Sequence, residues 1–454
     1  MKPLRRILIA NRGEIAVRIL RACRALGVEA YVVVSEADRD SMAARLADRV
    51  ICIGPAAAKD SYLDINKVVH VAKATGCDGL HPGYGFLSER AELSASCEQH
   101  GIVFVGPQAE SIRLMGNKLA ARAFAEECGV PVLPGSLRVT SVTHAIELAH
   151  SVGYPVLLKA AAGGGGRGMK IARDATELET AFQTGSAEAQ AAFGDATLYM
   201  EHYIANARHI EVQILADHHG VVLHLGERDC SVQRRFQKLI EEAPAALLPL
   251  SLRAEICASA VMLAQKAGYR NAGTVEYIVD QEAKRFYFLE MNTRIQVEHP
   301  VTEMVTGVDL VQWQIRIAGG APLTLQQQDL QPQGHAIEVR INAESAAHGF
   351  RPSPGLITRW HAPEGDGIRI DTHCQAGDRV SPFYDSMLGK LIVHAADRPA
   401  AVRAMCQAVA AFDVQGIETT LPFLGQLMAM PAFQSGQINT RWAEQVLAQS
   451  QLNK

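Results

Sequence analysis

Two stretches of this 454-residue chain carry residue types that could handle an anion and a metal ion. Residues 159–170, "KAAAGGGGRGMK", set four consecutive glycines between Lys159 and Lys170. Glycine loses the most backbone freedom on ordering. In return its bare N–H groups approach a phosphate closely, and lysines neutralise it. Gly163 and Gly168 have the separation of a P-loop, but Met169 and Lys170 stand where a P-loop carries Lys and Ser/Thr. The flanks "YPVLLKA" and "MKIAR" both read as short apolar strands, so the stretch is a hairpin tip. It is either a plain surface loop or a flap over a nucleotide's phosphates. The second stretch is "GTVEYIVDQEAKRFYFLEMNTR", two strands about a polar turn. Symmetry about Ala283 would put Glu276 opposite Glu290 on one face. Like charges so placed repel, and a divalent cation removes the conflict. Asn292 follows at strand period and could add an oxygen ligand.

A third group lies in "NTRIQVEHPVTE", where Arg294, Gln296 and Glu298 occupy alternate positions beside His299. A cation, an amide and a carboxylate facing one small site can hold an oxyanion and take a proton from it. Upstream, "ERDCSVQRRFQK" brings Arg234, Arg235 and Lys238 into a basic cluster that needs an anionic partner or open solvent.

The elements that must position these groups fall into sections. "RRILIA", "EAYVVVS" and "GIVFVG" read as strands. "GEIAVRILRACRALG", stopped by Gly27, and "INKVVHVAKATG" read as helices between them. This alternation predicts a doubly wound parallel sheet. "NRGE" is not a GxGxxG fingerprint, so a nicotinamide cofactor is unsupported. We expect an N-terminal domain over 1–117, a helix and linker over 118–133, and a small α+β unit with the glycine loop over 134–204. A strand-rich section over 205–334 and a last section over 335–454, with short strands and two helices, complete the chain. A net charge of −4 and a hydrophobic fraction of 48% fit a globular protein and favour neither nucleic acid nor membrane partners. No apolar run spans a bilayer. Nine cysteines without a CxxC pair predict reduced thiols in a cytoplasmic protein.

In these motifs the chain resembles biotin carboxylases, which are ATP-grasp enzymes. "IANRGEIAVRILRA", "HPGYGFLSE", "IRLMGNK", "GGGGRGM", "EMNTRIQVEHPVTEM", "EVRINAE" and "YDSMLGKLI" stand in family order over nearly the whole length. The resemblance implies α/β and α+β architecture: an ATP-grasp fold with a parallel-sheet N-terminal domain, a small lid and a larger mixed C-terminal part. It implies ATP contacts from Lys118, Lys159, Gly165, Gly166, Glu201, Ile204, His209, Gln233 and Ile278. It implies Mg²⁺ or Mn²⁺ held by Glu276, Glu290 and Asn292. Bicarbonate would be bound by Lys238, Arg294, Gln296 and Val297, with Glu298 as base. Arg340 and Tyr84 would face biotin. The implied reaction carboxylates biotin N1 through carboxyphosphate, the first half-reaction of acetyl-CoA carboxylase or a related acyl-CoA carboxylase.

Some positions depart from the family. Phe236 stands where His is common, and His202 where Lys is common. Ala161 and Ala162 shorten the polar start of the lid. Arg21 and Arg369 match a homodimer interface, whereas Ala25 and Asp366 replace an acid and an aromatic there. No lysine lies in "LMAMPAF", and none stands between Lys390 and Lys454, so biotin is expected on a separate biotin carboxyl carrier protein, with carboxyltransferase subunits as further partners. Two other readings stay open: another ATP-grasp ligase using an acyl phosphate, and a weakly catalytic nucleotide-binding scaffold.

Overall fold

The computed structural model describes residues 3–161 and 169–452. The glycine run, with Gly165 and Gly166, lies outside the described residues. Among the described residues no helix is long and apolar enough to cross a membrane.

Strands β1 (Arg6–Ile9), β2 (Glu29–Val34), β3 (Arg49–Cys52), β4 (Gly79–His81) and β5 (Val103–Phe104) form a parallel sheet in the order β3-β2-β1-β4-β5. Helices Gly13–Ala25, Ile65–Ala74 and Ala91–Gln99 connect or flank them. The alternation read from sequence thus gives a doubly wound sheet. Strand order reverses between β1 and β4, where ligand crevices form in such sheets. The two loops leaving that point are tied together. Asn11 Nδ2 donates to the carbonyls of Pro82 and Tyr84, at 2.7 Å each. Gly83 has φ +64, and a Cβ there would sit 2.9 Å from Asn11 Nδ2, so only glycine fits the turn.

Strands β6 (Gly135–Val139), β7 (Val156–Ala160), β8 (Lys170–Ala172) and β9 (Leu198–His202) form an antiparallel sheet ordered β6-β9-β7-β8. Helices Val142–Val152 and Ala175–Phe193 pack on it through Ala145, Ala149, Leu178 and Ala189. β7 pairs antiparallel with β8, with Leu158 opposite Lys170, so the glycine stretch does join two paired strands.

The large sheet has eight strands. They are β14 (Arg285–Asn292), β13 (Asn271–Asp280), β10 (Ala207–Ala216), β11 (Val222–Arg234), β12 (Gln237–Ala243) and β15 (His335–Asn342), then Met387–Ala395 and Ile368–Thr372, in that order. β10 is buried along its whole length. Ile210, Val212 and Ile214 pack in a core with Ile256, Ala260 and Leu263 of helix Leu250–Lys266. Each of the isoleucine, valine and leucine side chains stabilises by roughly 1.5–3 kcal/mol. That burial fixes which way the strand faces, and hence points His209, Glu211 and Gln213 to the other side.

Four helices, Arg398–Ala411, Leu421–Ala429, Pro431–Gln434 and Trp442–Leu452, end the described chain where two were expected. The Met430–Pro431 step splits one apolar run into two helices, because proline cannot continue the first ladder.

Candidate active site

The β13–β14 hairpin sets Glu276 opposite Glu290, Val275 opposite Met291 and Thr274 opposite Asn292. The turn itself is not centred on Ala283. Near it Asp280 pairs with Arg285 and Tyr277 with Phe288, and a bulge beside Leu289 restores the register. The carboxylate pair read from sequence therefore forms, by a different route.

The two carboxylates differ in surroundings. Glu276 Oε1 accepts from Lys238 at 3.0 Å, Asn292 Nδ2 at 2.9 Å and Gln296 Nε2 at 2.7 Å. Glu276 Oε2 lies 3.0 Å from His209 Nε2. Burial pushes this carboxyl up, but Lys238 and His209 outweigh it and hold it well below the ordinary range. The Glu290 side chain makes no hydrogen bond or ion pair among the described residues. Burial and the adjacent Glu276 push it up. A divalent cation fits that unmet charge. Asn292 is less ready: its Oδ1 accepts from Arg294 Nη2 at 2.8 Å, so it would have to release Arg294 before it could serve as a ligand.

Lys238 is the centre of the site. Its ammonium lies 2.5 Å from Glu211, 2.6 Å from Glu298 and 3.0 Å from Glu276. His209, Glu211 and Glu276 lie close enough to hold a metal among themselves, yet the Lys238 ammonium already lies against both carboxylates and Arg228 against Glu211. Glu298 also takes Arg340 Nη2 at 2.9 Å. Burial pushes the Glu298 carboxyl up, but Lys238, Arg340 and Arg228 together bring it well below the usual range.

Arg294, Gln296 and Glu298 converge as expected, but residues 293–298 form turns, not a strand. Arg294 Nε is held by Glu89 at 2.9 Å. Gln296 Oε1 accepts from Arg228 at 2.8 Å. Val297 offers its carbonyl to the buried Lys390 ammonium at 2.7 Å, and that ammonium also lies 3.1 Å from Glu14. Glu14 in turn accepts from the Tyr84 hydroxyl. Tyr84 thus reaches the Val297 loop through two buried charges.

The basic cluster expected at Arg234, Arg235 and Lys238 does not form. Arg234 stacks on Phe350 at 3.9 Å, and Lys238 turns inward. Arg235 and Phe236 take positive φ values of 47° and 63° at the β11–β12 turn, which throws the residues apart.

On the lid side, Lys159 Nζ lies 2.5 Å from Glu201, which also holds Arg122 at 2.8 Å. In this arrangement Lys159 serves the lid's own carboxylate. His202 Nδ1 meets the Gly153 carbonyl at 3.1 Å. A cavity of about 1010 Å³ opens between lid and large sheet, lined by Leu157, Met169, Tyr203, Phe236 and Thr440 among others. Ile204 and Ile278 are half-buried, and Gln233 Nε2 meets His209 Nδ1 at 3.0 Å. Lys118 opens helix Lys118–Glu127 and draws the Glu290 carboxyl down against its burial.

Sequence reasoning missed Glu211 and Arg228, both fully buried. Arg228 donates to Glu211, Gln213, Thr274, Gln296 and Thr302. The available signal was "HIEVQIL", with polar residues at every second position of an otherwise apolar strand.

Three family models match the chain: the biotin carboxylase N-terminal domain over 3–112, the carbamoyl-phosphate synthase L chain ATP-binding domain over 117–326, and the biotin carboxylase C-terminal domain over 338–445. Biotin carboxylase 1 of Bacillus subtilis is 49% identical over 442 residues, covering 97% of this chain and 98% of that protein. The solved biotin carboxylase complex from Campylobacter jejuni superposes with a TM-score of 0.95 at 46% identity, over 97% and 99% of the two chains. The biotin carboxylase domain dimer of Hydrogenobacter thermophilus 2-oxoglutarate carboxylase, solved with MgADP, ADP and bicarbonate, gives 0.94 at 44%, over 98% of each.

Proposed function

The chain belongs to the biotin carboxylase family, ATP-dependent ligases that carboxylate biotin, and we propose how its residues divide that work. Bicarbonate enters beside Lys238, whose ammonium exchanges carboxylate partners for the anion. Arg294, Gln296 and the Val297 backbone hold it there. As Lys238 turns to the anion, Glu298 loses its strongest neutralising partner and regains basicity. Glu298 then takes the bicarbonate proton while a bicarbonate oxygen attacks the γ-phosphorus of ATP. The bond to ADP breaks, and carboxyphosphate forms. Its collapse gives CO₂ and phosphate, the phosphate takes the N1 proton of biotin, and N1 attacks CO₂. Arg340 stabilises the charge on the ureido oxygen, with Tyr84 bordering the ring. The chain's share is positioning and charge neutralisation, as for phosphoryl transfer generally.

The nucleotide would lie between lid and large sheet. Lys118 and Lys159 would reach its phosphates, and Glu201, Ile204, His209, Gln233 and Ile278 would surround the rest. Gly165 and Gly166 would close over it. Glu276 and Glu290, joined by Asn292 once Arg294 turns away, would hold Mg²⁺, which neutralises phosphate charge. All-oxygen ligation suits Mn²⁺ as well.

The observation that carries this reading is the placement of Lys238 and Arg340 on opposite oxygens of one buried carboxylate, Glu298. Biotin on a separate carrier protein, a carboxyltransferase downstream and a two-fold dimer are the partners this reading expects, with acetyl-CoA or a related acyl-CoA as acceptor and the cytoplasm as its place. The test is to supply MgATP, bicarbonate and biotin and count products. Carboxybiotin that depends on all three substrates, matched by an equal amount of ADP above that formed without biotin, supports it. ADP without carboxybiotin refutes it.

A further inference from the structure

Behind Arg340 lies a second pair of acids that the reaction does not use. Glu241 on β12 and Glu338 on β15 are direct partners across antiparallel strands, and both are fully buried. Arg340, two residues from Glu338 on the same face, donates Nε to Glu241 Oε1 at 2.6 Å. Among the described residues the other three oxygens, Glu241 Oε2 and both of Glu338, have no hydrogen-bond partner. Two like charges opposed across a strand pair repel, and an ionised carboxylate without partners is costly inside a protein. One proton on the pair removes both problems. The partner count says where it goes: Glu241 has a guanidinium and Glu338 has nothing.

We propose that Glu241 and Glu338 are positioning residues for Arg340, Glu338 remaining protonated in the sheet and Glu241 ionised so that it holds the guanidinium against Glu298. This rests on the reading of Arg340 as the group that faces biotin. Burial and the nearby Glu241 push the Glu338 carboxyl well up, against the pull of Lys390. Burial raises Glu241 to about 7, against the pull of Arg340.

Other groups face the pair from every side. Glu298 approaches from the segment after β14, Lys238 from β12 itself and Cys230 from β11. Burial keeps the Cys230 thiol neutral. Lys390 lies on the neighbouring strand, its ammonium turned to the Val297 carbonyl and Glu14. Helix His299–Thr306 packs on the same face through Val301 and Val305. Its His299 is bound to the Gln296 carbonyl, and its Glu303 to Arg18 and Arg369. Of these groups Glu241 is the one poised to titrate near neutrality. As pH falls through about 7, Glu241 takes a proton and Arg340 keeps only Glu298 as an anionic anchor. The biotin step then acquires an acid limb that Glu298 does not supply.

The experiment is the pH profile of kcat/KM for free biotin, with MgATP and bicarbonate saturating, for the parent, Glu241→Gln and Glu338→Gln. Comparison with the parent cancels the titration of bicarbonate and nucleotide. Glu241→Gln is expected to lose the limb near 7 and to fall by about tenfold at pH 8, as a charged hydrogen bond is lost. Glu338→Gln imitates the protonated acid, so its rate stays within about twofold and its limb stays in place. A limb that persists in Glu241→Gln overturns the proposal. So does a limb that moves down by a full pH unit in Glu338→Gln, because Glu338 was then ionised. A readout free of activity is the infrared difference spectrum of parent against Glu338→Gln at pH 8. A protonated-carboxyl band in the parent supports the proposal, and its absence overturns it. Arg340→Gln separates the two readings. If it impairs the biotin step while Glu241→Gln does not, only the present proposal fails. If it leaves the biotin step intact, the biotin reading fails.

Discussion

Lys238 and Glu298 face each other at 2.6 Å, the lysine side chain 12% exposed and the glutamate 2%. A base clamped this way is weak until its partner turns aside, so proton removal waits for the anion that displaces the lysine. Glu298→Gln removes the base and keeps the shape. Bicarbonate-dependent ATP cleavage is expected to fall by about a hundredfold or more, with ATP affinity nearly unchanged. Steady-state ADP release and nucleotide titration measure the two separately, and a near-normal rate removes Glu298 from the role.

The same clamp makes a pH prediction. Glu298 titrates well below the ordinary value of 4.5 in the folded chain, held there by Lys238, Arg340 and Arg228 against its burial. A carboxyl depressed on folding stabilises above its unfolded pKa, and that stability is lost as pH falls toward the folded one. The melting-temperature gap between parent and Glu298→Gln is therefore expected to narrow below about 4.5. A gap that stays constant below about 4.5 contradicts the assignment.

Glu276 and Glu290 should behave unequally when each is changed to Gln. Both variants are expected to raise the Mg²⁺ concentration needed for half-maximal rate. Glu276→Gln also unseats Lys238, Asn292 and Gln296, so its melting temperature falls. Glu290→Gln removes a half-buried carboxyl that has no partner among the described residues and whose folded pKa is raised. Such a group costs stability as pH rises above its unfolded value, so this variant melts at or above the parent at pH 8. Unchanged metal dependence in both variants would move the metal elsewhere.

Arg340 separates the half-steps. Arg340→Gln is expected to lower biotin carboxylation by about a hundredfold, the scale for removing a donor to a developing oxyanion. Cleavage of ATP with bicarbonate alone should fall far less. Equal losses in both assays would make Arg340 part of the bicarbonate machinery instead.

Much of this arrangement was legible in the sequence because local rules decide it. The βαβ alternation forecast the parallel sheet, and the strand–turn–strand pattern forecast the Glu276–Glu290 pairing. The bulge beside Leu289 was invisible because nothing in the residue types marks it. Strands β3 and β4 have four and three residues, too short to show a period. Arg234 and Lys238 read as one cluster because sequence proximity hides a turn with two positive φ values. Glu211, Arg228, Glu241 and Glu338 were missed because a buried polar network is set by strand order in the sheet, which brings β10, β11, β12 and β15 together from distant sequence.

The most direct test follows the oxygen that Glu298 is held to activate. With bicarbonate labelled with oxygen-18, MgATP and biotin, the label should appear in the released phosphate, one labelled oxygen per turnover. That result requires a bicarbonate oxygen to have attacked the γ-phosphorus and stayed with it when carboxyphosphate collapsed. Phosphate free of label would mean that water made the attack, and would contradict the account.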